Sequence, residues 1–238
     1  MTSIEPGSVL ELWDRALPLT PAERAVALAA AARPPAPAAE IAELPLGRRD
    51  ARLLRLRSAW AAPALESIAT CPSCGEQVEF APDAGVILAE AAGASAPEPL
   101  EVDGTVVTWR LPNSTDMAAA ARASGPAGAE RILLDRCVTV SPAGSELSPE
   151  ARAAVARAMA AADPVADVLV DLTCPACEVP FTAELDVAGI VWTEVVAHAR
   201  ELLREVDVLA RAYGWTEAEV LGMSPQRRSA YLEMAAGS

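Results

Sequence analysis

An α+β fold is predicted for this 238-residue chain from three observations. Two Cys-Pro-x-Cys turns, Cys71-Pro72-Ser73-Cys74 and Cys174-Pro175-Ala176-Cys177, each precede a short strand-like run. An Asp-Gly step within an alternating stretch marks a hairpin between them, and helix caps and prolines punctuate both ends of the chain. The sequence divides accordingly into an N-terminal helical region (1–69), a first knuckle (70–92), an insertion with hairpin and helices (93–164), a second knuckle (165–190) and a C-terminal helical module (191–238).

The cysteine turns carry the chemistry. A Cys-Pro-x-Cys turn aims two sulfurs at one point, and two such turns supply the four soft ligands that tetrahedral zinc requires. Cys71, Cys74, Cys174 and Cys177 are the expected ligands of one structural zinc ion, in a zinc-ribbon-like pair of knuckles. The likeness of the halves extends further: Asp83 and Asp186 each follow the second cysteine of their pair by nine residues, Ile87 and Ile190 by thirteen. Strand-like runs (Val78 to Phe80, Val179 to Leu185) follow the pairs, then residues able to begin a helix. Four thiolates close the coordination shell, so no position is left for substrate or activated water. A redox Cys-x-x-Cys would open a helix inside a strand-helix-strand unit, whereas polar and strand-like residues follow here. Disulfides would need an oxidising compartment, and Met1 to Leu12 has neither a basic n-region nor an apolar h-region, so a cytoplasmic location is expected. Cys137, four residues after Leu133 on a helix face, reads as a buried core thiol.

Composition narrows the partners. Apolar residues make up 52% of the chain, enough for folding, but much of that share is alanine, which adds little buried area per residue. No run of about 18 strongly apolar residues occurs, so no membrane span is expected. The net charge is −14, and all 19 basic residues are arginine. Such an acidic chain repels phosphate, and few aromatics are present to stack on bases, so nucleic acid is a poor partner despite the habit of zinc ribbons. The only histidine, His198, sits mid-helix with no nucleophile that sequence can pair with it, and no phosphate-cradling glycine loop is present, so an enzyme is not expected.

Thr20-Pro21-Ala22-Glu23 has a capping-box pattern and opens a helix ending by Arg33-Pro34-Pro35, after which Pro34 to Pro37 form a linker. A second helix is predicted from about Gly47 to Ile68, bent near Pro63. Within it Arg48, Arg49, Arg52, Arg55 and Arg57 crowd together, with Arg48, Arg52 and Arg55 on one face: either a solvated face opposite Leu53, Leu56 and Trp60, or a docking face for an acidic partner. Leu100 to Trp109 reads as the hairpin around Asp103-Gly104. Leu111-Pro112-Asn113-Ser114-Thr115-Asp116 leads into an alanine-rich helix, another helix runs from Ala129 to Cys137, and a third from Ser148-Pro149-Glu150 to Asp163-Pro164. Val168, Val170 and Leu172 alternate with Asp167, Leu169 and Asp171 as a strand with one buried face. From Val191 to Met234 the chain reads as helical, with a capping box at Thr216/Glu219, a last helix from Ser224-Pro225, and Trp215, Leu221, Tyr231 and Leu232 closing a small core or serving a partner.

Several of these stretches together resemble a known family. Leu44-Pro45-Leu46-Gly47-Arg48-Arg49-Asp50, the arginine-rich Ala51 to Arg57 and the first Cys-Pro-x-Cys-Gly are followed by Leu111 to Asp116, Leu133-Leu134-Asp135-Arg136-Cys137 and the second cysteine pair. With the tail Tyr213 to Leu221 and Arg227-Arg228 preceding Tyr231, this order resembles the T-even-type phage baseplate hub assembly chaperone family, found in contractile phage tails and related contractile injection systems. The resemblance implies a non-enzymatic protein that works in the cytoplasm while a contractile apparatus assembles, with baseplate or hub subunits as its partners.

Overall fold

The computed structural model describes residues 6–92, 96–102, 104–142 and 147–236. The helices α1 (Pro6–Ala16), α2 (Pro21–Ala31), the short α3 (Ala38–Ala42) and α4 (Leu46–Arg57) build the N-terminal region. Thr20 caps α2 in a full capping box with Glu23, and Pro21 occupies the first turn, where its missing N–H costs nothing.

The α4 helix is shorter than predicted and does not bend at Pro63. It ends at Arg57, and residues 67–70 form the strand β1 (Ser67–Thr70), paired antiparallel with β2 (Gln77–Phe80). The leucine spacing that suggested a longer helix ends where the Arg57 guanidinium folds back onto the carbonyls of Ala62 and Ala64. Beyond that turn, pairing with a distant segment takes over: Leu65 N–H donates to the Pro82 carbonyl at 2.9 Å. Tertiary pairing outweighs local helix propensity here.

After α5 (Ala84–Ala92), the expected hairpin forms from β3 (Leu100–Val102) and β4 (Thr105–Trp109), although Asp103 of its turn lies outside the described residues. The helices α6 (Ser114–Ala120) and α7 (Pro126–Cys137) follow. A strand the sequence reading did not anticipate, β5 (Val138–Ser141), joins β4 to complete a three-stranded sheet in the order β3-β4-β5. Its Val-Thr-Val-Ser alternation is the signal, hidden by the helix directly before it. Then come α8 (Pro149–Ala162), the hairpin of β6 (Leu169–Thr173) and β7 (Pro180–Glu184), the 27-residue α9 (Val187–Tyr213), α10 (Glu217–Leu221) and α11 (Pro225–Ala236). Along β6 the alternation holds, but its inward face is only half-buried.

The main core gathers Leu12, Leu28, Ile41, Leu53, Leu54, Leu65, Val165, Leu185, Val191 and Val195, with α9 packed against α1, α2 and α4. Alanine contributes to it, with Ala16 and Ala29 fully buried, and a smaller cluster of Val9, Leu10, Ala199 and Leu202 lies beside it between α1 and α9. A separate small cluster surrounds the cysteines: Cys71, Val78 and Cys174, flanked by Leu172, Cys177 and Phe181. At the C-terminus Tyr213, Trp215 and Tyr231 pack together, with Tyr213 and Trp215 stacked at 4.5 Å, and Arg228 is buried in an ion pair with Glu205.

The insertion is tied to the N-terminal helices by the two proline-containing stretches. Leu46 N–H donates to the Pro112 carbonyl, Pro45 bridges Asn113, and the Asn113 amide donates to Glu43 at 2.8 Å. Gly47 N–H donates to the Asp163 carboxylate at 2.9 Å, so the end of α8 caps α4, and a side chain at Gly47 would collide with that carboxylate.

Below this junction Asp116, fully buried, accepts hydrogen bonds from Arg110, Arg136 and the Asn113 N–H. The Arg110 bonds lead the effects that hold its carboxyl well below the usual range, against the opposing effect of burial. A carboxylate depressed in the folded state stabilises the protein above its unfolded value near 3.9, and that stability is lost as pH falls below it toward the folded value. The stability gap between the wild type and Asp116→Asn, measured by urea midpoint, is therefore expected to narrow as pH falls from about 5 to about 2. A gap constant across that range would contradict the charged network.

Candidate metal centre

Each cysteine pair sits in the turn of its own two-stranded hairpin, and the two turns are built alike. Cys71 N–H donates to the Glu76 carbonyl at 2.8 Å, and Cys174 N–H donates to the Val179 carbonyl at 3.1 Å. In the reverse direction, Gly75 N–H donates to the Cys71 carbonyl at 3.0 Å and Glu178 N–H to the Cys174 carbonyl at 2.9 Å. Both turns place the residue after the second cysteine at positive φ: 80° at Gly75 and 60° at Glu178. The likeness continues past the strands. The Asp83 carboxylate accepts from Gly85 N–H at the start of α5, and Asp186 accepts from Gly189 N–H at the start of α9. The nine-residue spacing read from the sequence thus marks two equivalent helix caps.

The four sulfurs come from the two halves and meet. Their Sγ atoms all lie within 4.8 Å of one another, with Cys71 to Cys177 at 3.8 Å and Cys74 to Cys174 at 3.6 Å. Sulfurs held about 2.3 Å from a central ion at tetrahedral angles stand about 3.8 Å apart, so the spacing fits a four-thiolate metal site. It is far longer than a disulfide bond of about 2.05 Å, and all five cysteines are free thiols. The donor set is all sulfur, the choice of soft metals. Cys71 and Cys174 are buried, Cys177 is half-buried and Cys74 is exposed, so the site is reached from one side.

Neighbouring groups adapt these thiols to charge. Burial opposes ionisation of Cys71, but the N–H groups of Cys74 and Ser73, then the thiols of Cys174 and Cys74, bring it down to about 7. At Cys74 the Glu76 N–H favours the thiolate, yet the thiols of Cys177 and Cys174 lead the effects that push it up to about 12. Four such groups at this spacing cannot all ionise without a cation, so metal uptake displaces protons and strengthens as pH rises.

Glu178 is the one described non-glycine residue at positive φ, where its counterpart is Gly75. A side chain in that region costs roughly 1–2 kcal/mol, partly offset by the extra freedom glycine gives the unfolded chain. Glu178→Gly is expected to raise the urea midpoint of the metal-loaded protein by the equivalent of about 0.5–1 kcal/mol. A fall would contradict the strain.

Cys137 is buried at the end of α7, away from the cluster. Its thiol donates to Asp116 at 3.5 Å, and burial, then the Asp116 charge, push it up to about 11, which leaves it inert. His198 is half-buried on α9, and its imidazole makes no hydrogen bond among the described residues.

On the arginine face of α4, Arg48 and Arg55 are exposed as a solvated face requires, whereas Arg52 is half-buried. Arg52 donates to the carbonyls of Ala29, Ala32 and Pro34, closing the C-terminal end of α2. Arg49 forks onto Asp50 and reaches Ser114, and Arg57 is buried against Glu194. Only Arg48 and Arg55 remain exposed, beside Leu44 and Ala91. Spacing along a helix could not reveal the roles of Arg52 and Arg57, because the α2 carbonyls and Glu194 lie far along the chain. No helix is long and apolar enough to cross a membrane among the described residues. No family model, curated protein or solved structure matches the chain.

Proposed function

We propose that this protein is a non-enzymatic, zinc-stabilised factor in the assembly of the baseplate or hub of a contractile phage tail-like injection machine. It acts in the cytoplasm, with baseplate or hub subunits as partners. The observation that carries the non-catalytic part is the closed set of four sulfurs, which would hold zinc with every coordination position occupied. Zinc bound there supplies cross-linking of the two hairpins. The assembly part rests on the resemblance, and it gains support from the way its two proline-containing stretches interlock. Leu44 to Asp50 and Leu111 to Asp116 are far apart in sequence yet share one buried junction.

The test is co-purification of tagged protein with hub, spike and wedge subunits expressed from the neighbouring genes. Recovery of a stoichiometric complex with one of them supports the assembly role. Recovery of none, with metal binding intact, favours a general zinc-ribbon interaction module outside any such machine.

A further inference from the structure

A second surface lies where the two hairpins and α9 meet, at the ends of the strands away from the cysteines. Here a groove of about 620 Å³ opens, floored by Ile68, Phe80 and Ile190. That volume falls in the range of ordinary ligand sites. Ile68 is 62% exposed, so its side chain is available to a ligand. Its charged residues are all acidic: Glu66, Glu184, Asp186 and Glu194 line it beside the neutral Ser67 and Thr193, and no arginine does. Arg57, behind the wall, neutralises Glu194 alone. Glu66, Glu184 and Asp186 have no cationic partner among the described residues.

From this charge and shape we infer that the groove binds a peptide segment of a partner protein that carries arginine or lysine beside apolar side chains. The inference goes beyond the assembly role and holds whichever machine the protein serves. A bound metal ion is the competing way to satisfy carboxylates. Among the described residues, however, only the cysteines bring three or more ligand atoms together closely enough to hold one, and Asp186 already caps α9. Nucleic acid is excluded by the sign of the rim. Apolar side chains on the floor supply affinity, while the carboxylates select cationic partners and speed encounter. The groove is also shared by the two halves, so its shape depends on their being held together.

The experiment uses the full chain loaded with zinc and a fluorescein-labelled twelve-residue peptide of alternating arginine and leucine, at about 150 mM salt so that diffuse attraction is screened. Binding is read by anisotropy, with an arginine-serine peptide of equal charge as the comparison. The arginine-leucine peptide is expected to bind at least tenfold more tightly than the arginine-serine peptide. Glu66→Arg/Glu184→Arg should weaken it at least tenfold and Ile68→Ser at least fivefold. These side chains are exposed and hold nothing else in the fold, and circular dichroism with metal content verifies each variant. Glu130→Arg/Glu233→Arg, an equal charge change elsewhere, should leave binding unchanged. Equal weakening by that remote pair, or indifference to Ile68→Ser, would overturn the proposal by reducing it to general acidity. Self-association of the protein that Ile68→Ser abolishes would overturn it too, since a second copy would then fill the groove.

Discussion

Removing the metal is expected to unfold the two hairpins while most of the helical core survives. Structural zinc in small domains contributes on the order of 10–16 kcal/mol of apparent free energy, comparable to or larger than the usual net stability of a domain. The hairpins have little else to hold them. Each is two-stranded, a form that is marginal in water, and their strands alternate between exposed and half-buried positions with one buried side chain apiece at most. The main core lies elsewhere, among α1, α2, α4 and α9, and meets the hairpins only at their bases, through Leu65, Phe80, Val168 and Leu185. Because the cysteine cluster is separate from the main core, the loss is graded. Hydrogen exchange should show residues 67–80 and 169–184 losing protection on chelation, with α2, α4 and the middle of α9 retaining most of theirs. Cys177→Ser and Cys74→Ser should reproduce the pattern and lower the melting midpoint by roughly 10 °C or more. Cys137→Ser should keep the metal bound. Hairpin protection that survives complete metal removal would contradict the scaffolding role.

Arg57→Met is expected to cost about 3–5 kcal/mol, which for a chain of this size lowers the melting midpoint by roughly 6–20 °C. The Arg57 side chain is 5% exposed; its Nε lies 2.8 Å from the nearer Glu194 oxygen, and its two remaining nitrogens serve the carbonyls of Ala62 and Ala64. Methionine matches much of the volume but leaves a half-covered carboxylate and two carbonyls without donors. Those carbonyls form the turn that leads the chain from α4 into β1, so the change should also loosen the first hairpin. Removing the stranded charge with Arg57→Met/Glu194→Leu should recover about half of the loss, since an absent pair costs less than a broken one. Thermal denaturation of the three proteins, all metal-loaded, measures both effects. A single-variant cost below about 1 kcal/mol would mean that water serves these groups as well as the guanidinium does.

The four-sulfur cluster was legible because the knuckle is local. Cys-Pro-x-Cys fixes a turn from four adjacent residues, and the matching Asp83 and Asp186 mark the duplication in the sequence itself. The capping boxes at Thr20 and Thr216 were readable for the same reason: donor and acceptor lie three residues apart. What could not be read was set by partners far along the chain. Leu65 left the helical pattern because its N–H is satisfied by Pro82, and β5 exists because β4 offers it an edge. Arg52 read as part of one charged face with Arg48 and Arg55 because nothing near it in sequence announces the open end of α2, and nothing near Arg57 announces Glu194. The groove below the hairpins was equally hidden, since its floor and rim come from β1, β2, β7 and α9 together.

The central claim is that four sulfurs from two duplicated turns close around a single ion. X-ray absorption at the zinc edge of protein purified without added chelator, with elemental analysis of the same sample, tests it most directly. The expected result is one zinc per chain with four sulfur neighbours at about 2.3 Å and no lighter ligand. A metal-free protein, or a zinc shell containing nitrogen or oxygen, would contradict it.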